Sequence, residues 1–172
     1  MGRGRAAVRW PAFALAALVL LWAESAAASS FTHIWLNGVI NPVKARYVQR
    51  AILQAQSEKA DFLLITIDTP GGLVSSMQQI TASITNAPLP VVLYVAPSSA
   101  QATSAGAFIV LASDLAAMAP GTRIGAAHPV AEGKSLDSVM DEKATNSLVS
   151  LAKSLANRSG RPEDIAETIV RK

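Results

Sequence analysis

Two segments of this sequence carry residue types that could do chemistry: Asp68-Thr69-Pro70-Gly71-Gly72 and, further along, Thr103-Ser104-Ala105-Gly106. In the first, consecutive glycines permit a tight turn and let bare backbone N–H groups approach a ligand closely. In the second, a serine stands between small residues at the expected start of a helix. A serine hydroxyl beside convergent backbone donors is the requirement of acyl transfer, which needs a nucleophile and a cradle for an oxyanion. Each segment also has an ordinary explanation. Serine is a common helix N-cap, and Pro-Gly frequently ends a strand. Asp68 before the turn is expected to fix it by bonding local N–H groups rather than to act as an acid. Thr103 and Ser113 are expected to be local hydrogen-bonding residues, and His33 to be structural.

The elements that must position these segments alternate. Thr32 to Ile40 reads as a first strand, and Asn41-Pro42 as an N-cap followed by proline at the first helical position, with helical spacing to about Ala60. Phe62 to Ile67 is a continuous apolar run that suits a strand covered on both faces. Leu73–Thr85 reads as a helix, Pro90–Val95 as a third strand and 97–103 as a small polar connection. Ser104–Ser113 is expected to be a short buried helix, Leu115–Ala119 a short strand and Pro120-Gly121 a turn. Residues 131–139 look like a mobile loop. Helical periodicity returns from Met140 to Asn157 and again after Pro162. No internal sequence repeat is detectable. This alternation predicts an α/β domain with a mainly parallel sheet flanked by helices. In such sheets chemistry sits beyond the carboxyl ends of the strands, where both segments fall.

Composition narrows the function classes. Arg3, Arg5 and Arg9, the apolar run Trp10–Trp22 and Ala26-Ala27-Ala28 have the form of a signal peptide. The apolar run is short of the roughly 20 residues of a spanning helix. Residues 1–28 are therefore expected to be a cleaved signal peptide or an N-terminal anchor, and 29–172 an exported domain. The chain has 15 Lys+Arg against 12 Asp+Glu, and the leader holds most of the excess. No basic stripe interleaved with aromatics suggests nucleic-acid binding. With no cysteine, a disulfide framework, a thiolate metal site and a cysteine nucleophile are excluded. No metal and no cofactor are expected.

Ile67-Asp68-Thr69-Pro70-Gly71-Gly72 together with Thr103-Ser104-Ala105-Gly106-Ala107-Phe108 resembles the Clp protease/crotonase superfamily, and within it the NfeD-type membrane-bound serine proteases. Asn86–Val91 and Gly121–Pro129 add to the likeness, which spans Ile34 to Lys172. The resemblance implies a fold of repeated strand-strand-helix units and a serine–lysine dyad, with Ser104 as nucleophile and Lys143 as general base. It places the oxyanion donors at the backbone N–H groups of Gly72 and Ala105. An extended peptide would lie along Gly71, Gly72 and Leu73 by strand addition. Substrates would be apolar segments of membrane-associated proteins such as stomatin-like partners. The domain would self-associate and sit on the periplasmic or extracellular side of a membrane, held by its N-terminal segment or by a C-terminal region. A lysine base must be neutral, which requires desolvation, whereas the acidic residues around Lys143 oppose that. His128, placed like the histidine of the soluble Clp proteases, is the rival base. The domain reads as cut short at Arg171-Lys172. A non-catalytic peptide-binding scaffold and a crotonase-like thioester enzyme are the alternatives on the same fold.

Overall fold

The structure is a computed structural model that describes residues 29–127 and 138–171. The signal-peptide reading of 1–28, His128 and most of the expected loop lie outside the described residues. Among these residues no helix is long and apolar enough to cross a membrane.

Strand β1 (Phe31–Asn37) alternates strictly between exposed and buried positions, as a strand with one covered face must. Asn41 then caps α1 (Pro42–Ser57): its side-chain oxygen accepts from the Lys44 N–H at 3.1 Å, and Pro42 occupies the first turn. Strand β2 (Phe62–Asp68) has a neighbouring strand on either side, but the expected cover on both faces is not found: Leu63, Ile65 and Ile67 are buried, whereas Phe62 and Leu64 on the other face are only partly so. Helix α2 (Val74–Thr85), β3 (Val91–Val95), β4 (Gln101–Thr103) and α3 (Ala105–Ala112) follow. All eight residues of α3 are buried, the behaviour of a helix that is apolar all round. Then come β5 (Leu115–Met118), β6 (Arg123–Gly125), α4 (Ser138–Arg158) and α5 (Glu163–Arg171).

The main sheet has the order β1-β2-β3-β5 and every pairing is parallel. A second layer runs in the same order. Ile40 bridges Gly72, Thr69 bridges Ala102, and β4 pairs with β6, again all parallel. Each main strand is thus followed by a short stretch in the second layer and then by a helix: β1, Ile40, α1; β2, Thr69–Gly72, α2; β3, β4, α3; β5, β6, α4. The repeat absent from the sequence is present in the backbone, as strand-strand-helix units. The core lies between the layers and the helices, around Leu36, Ile65, Ile67, Met77, Leu93 and Ile109. The opposite face of the main sheet carries Phe31, Trp35, Tyr94 and Leu115, all exposed. There Phe31 stacks on Phe62 at 5.0 Å between ring centroids, and His33 Nε2 lies 2.9 Å from Thr66 Oγ1, the structural role expected of it.

The expectation of a plain polar connection is corrected, and a segment to which no element was assigned gains one. The polar connection 97–103 ends in a strand, β4, and the segment after Pro120-Gly121 contains another, β6. At three residues each they show neither alternation nor an apolar run. Distant parallel pairing, not local preference, makes them strands.

Candidate functional site

The double-glycine turn is stitched on both flanks. Toward α1, Ile40 N–H donates to Gly71 O at 2.7 Å and Leu73 N–H to Ile40 O at 3.0 Å. Toward β4, Thr69 N–H donates to Gln101 O at 2.7 Å and Thr103 N–H to Thr69 O at 3.1 Å. Thr69, fully buried, closes the turn itself, because its Oγ1 lies 3.0 Å from Gly71 N and 3.2 Å from Gly71 O. Asp68 does fix the turn, but not through local N–H groups. Its Oδ1 accepts from Gln101 N at 3.0 Å and so ties β4 to the end of β2. Thr103 likewise reaches across, its Oγ1 lying 3.4 Å from Thr69 O. Ser113 bonds locally as expected, donating to Val110 O at 2.7 Å.

Both glycines are required by contact as well as by conformation. Gly71 has φ +113°, and a Cβ there would stand 2.6 Å from Ser104 Cβ and 3.0 Å from its Oγ. Gly72 has φ +154°, and its Cβ would meet the Ile40 backbone at 2.2 Å. In the parallel bridge to Ile40, the bonds are made by Gly71 O and Leu73 N–H. The Gly72 N–H and C=O therefore turn to the other side of the segment, where the chain leaves β4 through Ser104. Among the described residues, the Gly72 and Ala105 N–H groups donate to no backbone carbonyl. Ala105 is the first residue of α3, where an N–H has no partner inside the helix.

Ser104 stands at the N-cap position of α3, yet its side chain makes no capping bond. The ordinary explanation for this serine is therefore not the one the backbone uses. Its φ of 53° and ψ of −119° are unusual for a residue with a Cβ, and such backbone strain persists only where surrounding structure over-determines it. The constraints are visible. The Ser104 N–H donates to Gly125 O at 2.9 Å, and the helix that follows is wholly buried. Gly106 lets that helix approach the turn, since a Cβ on it would lie 2.6 Å from Thr69 Cγ2. The result is a sharp strand–serine–helix turn in which Ser104, partly buried, stands against Gly71. A G-x-S-x-G pattern produces this kind of turn in α/β-hydrolases, whereas here the small residues are arranged as Ala102-Thr103-Ser104-Ala105-Gly106. The sequence signal was the run of small residues, and the strain was not legible in it.

The structure thus brings Gly71, Gly72, Ser104 and Ala105 together. Leu73 follows directly and is half exposed. Lys143 stands on α4, whose buried stripe is Thr145, Leu148, Val149, Ala152, Leu155 and Ala156. Helical geometry at 100° per residue puts Lys143 on the side opposite that stripe, and it is exposed. Among the described residues no hydrogen bond joins it to Ser104.

Comparisons with known proteins bear on the family and the fold. Residues 31–172 match the family described as "NfeD1b, N-terminal domain". The membrane-bound protease PH1510 of Pyrococcus horikoshii is 39% identical over 139 residues, which is 80% of this chain and 32% of that protein. This chain accordingly spans about a third of that relative's length. Among solved structures, a serine-to-alanine mutant of the 1510-N membrane-bound stomatin-specific protease superposes with a TM-score of 0.77 at 36% identity, covering 84% of this chain and 71% of that one. A lysine-to-alanine mutant of the same protease, in complex with a substrate peptide, gives 0.76 at 35% identity, covering 84% and 67%. ClpP1 from Listeria monocytogenes, 22% identical with a TM-score of 0.61 over 81% of this chain and 79% of that one, shares the fold. The strand-strand-helix units, the strained serine turn and these matches together show that the chain belongs to the NfeD1b N-terminal-domain family and has the Clp protease fold.

Proposed function

We propose that the domain is a serine endopeptidase that cleaves apolar segments of membrane-associated proteins, with Ser104 as nucleophile and Lys143 as base. The observation that carries this reading is Ser104 itself, an uncapped hydroxyl held in a strained turn against Gly71. Two amides on adjacent segments, those of Gly72 and Ala105, have no hydrogen-bond partner among the described residues and would supply the oxyanion donors. The similar proteases support the residue types, since their mutants replace a serine and a lysine.

In the reaction, Lys143 Nζ takes the Ser104 hydroxyl proton as Oγ bonds to the scissile carbonyl carbon. The carbonyl oxygen becomes an oxyanion held by the Gly72 and Ala105 N–H groups. The C–N bond then breaks, and Lys143 returns the proton to the departing amine. Lys143 next deprotonates water as it attacks the acyl carbon, and the ester C–O bond then breaks as Lys143 returns that proton to Ser104 Oγ, releasing the carboxylic acid product. The exposed position of Lys143 sets a condition. A peptide seated along Gly71–Leu73 must cover the amine and strip water from it, because only a neutral amine can take the proton. Half-exposed Leu73 and Val74 beside that edge suit an apolar substrate, and a stomatin-like membrane protein, the target named for the similar protease, is one such source. The work takes place on the exported side of a membrane, consistent with the leader-like first 28 residues.

The exposure of Lys143 also favours a second reading, a module that binds peptides without cutting them. Cleavage of an apolar peptide panel by the parent, Ser104→Ala, Lys143→Ala and His128→Ala separates the two. Loss of cleavage with Ser104 and Lys143 but not His128 is the expected result. Loss with His128 instead would reassign the base, and binding without cleavage by the parent would establish the second reading.

A further inference from the structure

The two halves of the site each open into a helix. Gly72-Leu73 leads into α2, and Ser104 leads into α3. The far ends of these two helices are held by arginines from one short stretch, the end of α4 and the turn after it. Arg158 donates through Nη2 to Thr85 O, the last residue of α2, and its Nη1 lies 3.8 Å from Asp114 Oδ1. Arg161 donates through Nη1 to Ser113 O at 2.7 Å and to Leu111 O at 3.3 Å, and through Nη2 to Ser113 Oγ at 3.3 Å. Ser159 Oγ adds a bond to Leu111 O at 3.2 Å. The last carbonyls of a helix have no partner within it and carry its negative dipole end, so a guanidinium there both satisfies acceptors and neutralises charge. Arg161 is partly sunk into the protein, and burial pulls its pKa down while Asp114 opposes the change.

We propose that Arg158 and Arg161 are positioning residues that lock the carboxyl ends of α2 and α3 to one frame and thereby fix the gap between the Gly72 amide and Ser104. Neither touches the site. Helix α3 has only eight residues, so a shift at its carboxyl end reaches Ser104 undamped. The strained Ser104 backbone would then relax and carry the Ala105 N–H out of line with that of Gly72. The catalytic part of this inference rests on the endopeptidase reading above.

The test compares the parent with Arg161→Met, Arg161→Lys and Arg158→Met in two measurements. The first is amide hydrogen exchange along the chain. Loss of the charge-assisted bonds to Leu111 and Ser113 predicts exchange at least about tenfold faster in Ala105–Ala112 for Arg161→Met, with β2 unchanged. The second is kcat and KM on a cleaved apolar peptide. Displacement of the reacting groups predicts a fall in kcat of about tenfold to a hundredfold, with KM changed by less than about twofold. Arg161→Lys, which keeps the charge but loses the planar fork, is expected to fall between. It carries both measurements if the methionine variant does not fold. Unchanged protection of α3, or a rise in KM at constant kcat, would overturn the proposal. A parent that cleaves nothing would refute the endopeptidase reading instead, and exchange in α3 would still decide whether the arginines hold the helix.

Discussion

Replacing Gly72 by alanine should be far more damaging than replacing a glycine chosen only for its backbone angle. At Gly72 an added Cβ would fall 2.2 Å from Ile40 O, 2.6 Å from Ile40 N and 2.8 Å from Ile40 C. All three are backbone atoms, so no side chain can swing aside. The chain must separate Gly72 from Ile40, giving up the bonds from Ile40 N to Gly71 O and from Leu73 N to Ile40 O. Two net hydrogen bonds contribute about 1 kcal/mol each, and an alanine at positive φ costs about 1–3 kcal/mol. The sum is about 3–5 kcal/mol, a large part of the 5–15 kcal/mol that holds a typical domain together. For a domain of this size that is a fall in Tm of about 10–15 °C. Gly160 is the control: its φ is +68°, yet an added Cβ meets nothing within 4 Å. Gly160→Ala should cost only the conformational part, about 1–2 kcal/mol. Thermal and urea denaturation of both variants beside the parent measure the difference. Equal destabilisation by the two substitutions would refute the argument that the Ile40–Gly72 contact builds the turn.

Three further outcomes are expected. Asp68→Asn keeps an oxygen that can accept from Gln101 N, so peptide cleavage should stay within about threefold of the parent, whereas Asp68→Ala strands that N–H and should cost about 1–3 kcal/mol in a urea melt. A collapse of activity in Asp68→Asn alone, at parental stability, would make Asp68 a catalytic acid. Asn41→Ala removes the cap of α1 and should lower stability by about 1 kcal/mol, with Asn41→Ser retaining most of it. Glu167 is held below the ordinary carboxylate range by its bonds from Lys153 and Arg171, and Glu58 by those from Gln54 and Thr32. Groups with a depressed folded pKa stabilise the fold above their unfolded value, about 4.3 for glutamate. That stabilisation is lost as pH falls through the lower folded values. Urea midpoints should therefore decline below about pH 4, and Glu167→Gln should flatten the decline.

The long elements of the fold are legible in the residues. Asn41-Pro42 specifies the start of α1 by chemistry that operates within four residues. The run Phe62–Ile67 specifies a strand, and the wholly apolar stretch after Ser104 a buried helix. What escapes is everything held by distant partners. Strand β4 exists because Thr69 and β6 offer bonds from other units, and β6 because β4 does, and nothing within three residues announces that. Asp68 shows the same limit, since its acceptor role was foreseen but the donor that satisfies it comes from β4. At the site, the residue types of the serine turn and the double glycine were visible. The positive φ of Ser104 arises from the bond to Gly125 O and the packing of α3, which only the assembled chain supplies. The clamp by Arg158 and Arg161 was invisible for the same reason, because each is an ordinary basic residue until Thr85, Leu111 and Ser113 are brought to it.

The most direct test of the central claim is covalent labelling of the folded protein with a fluorophosphonate, read by intact mass and peptide mapping. The account predicts one adduct, located on Ser104, absent in Ser104→Ala and formed much more slowly in Lys143→Ala. An adduct at another residue, no adduct at all, or an undiminished rate in Lys143→Ala would contradict it.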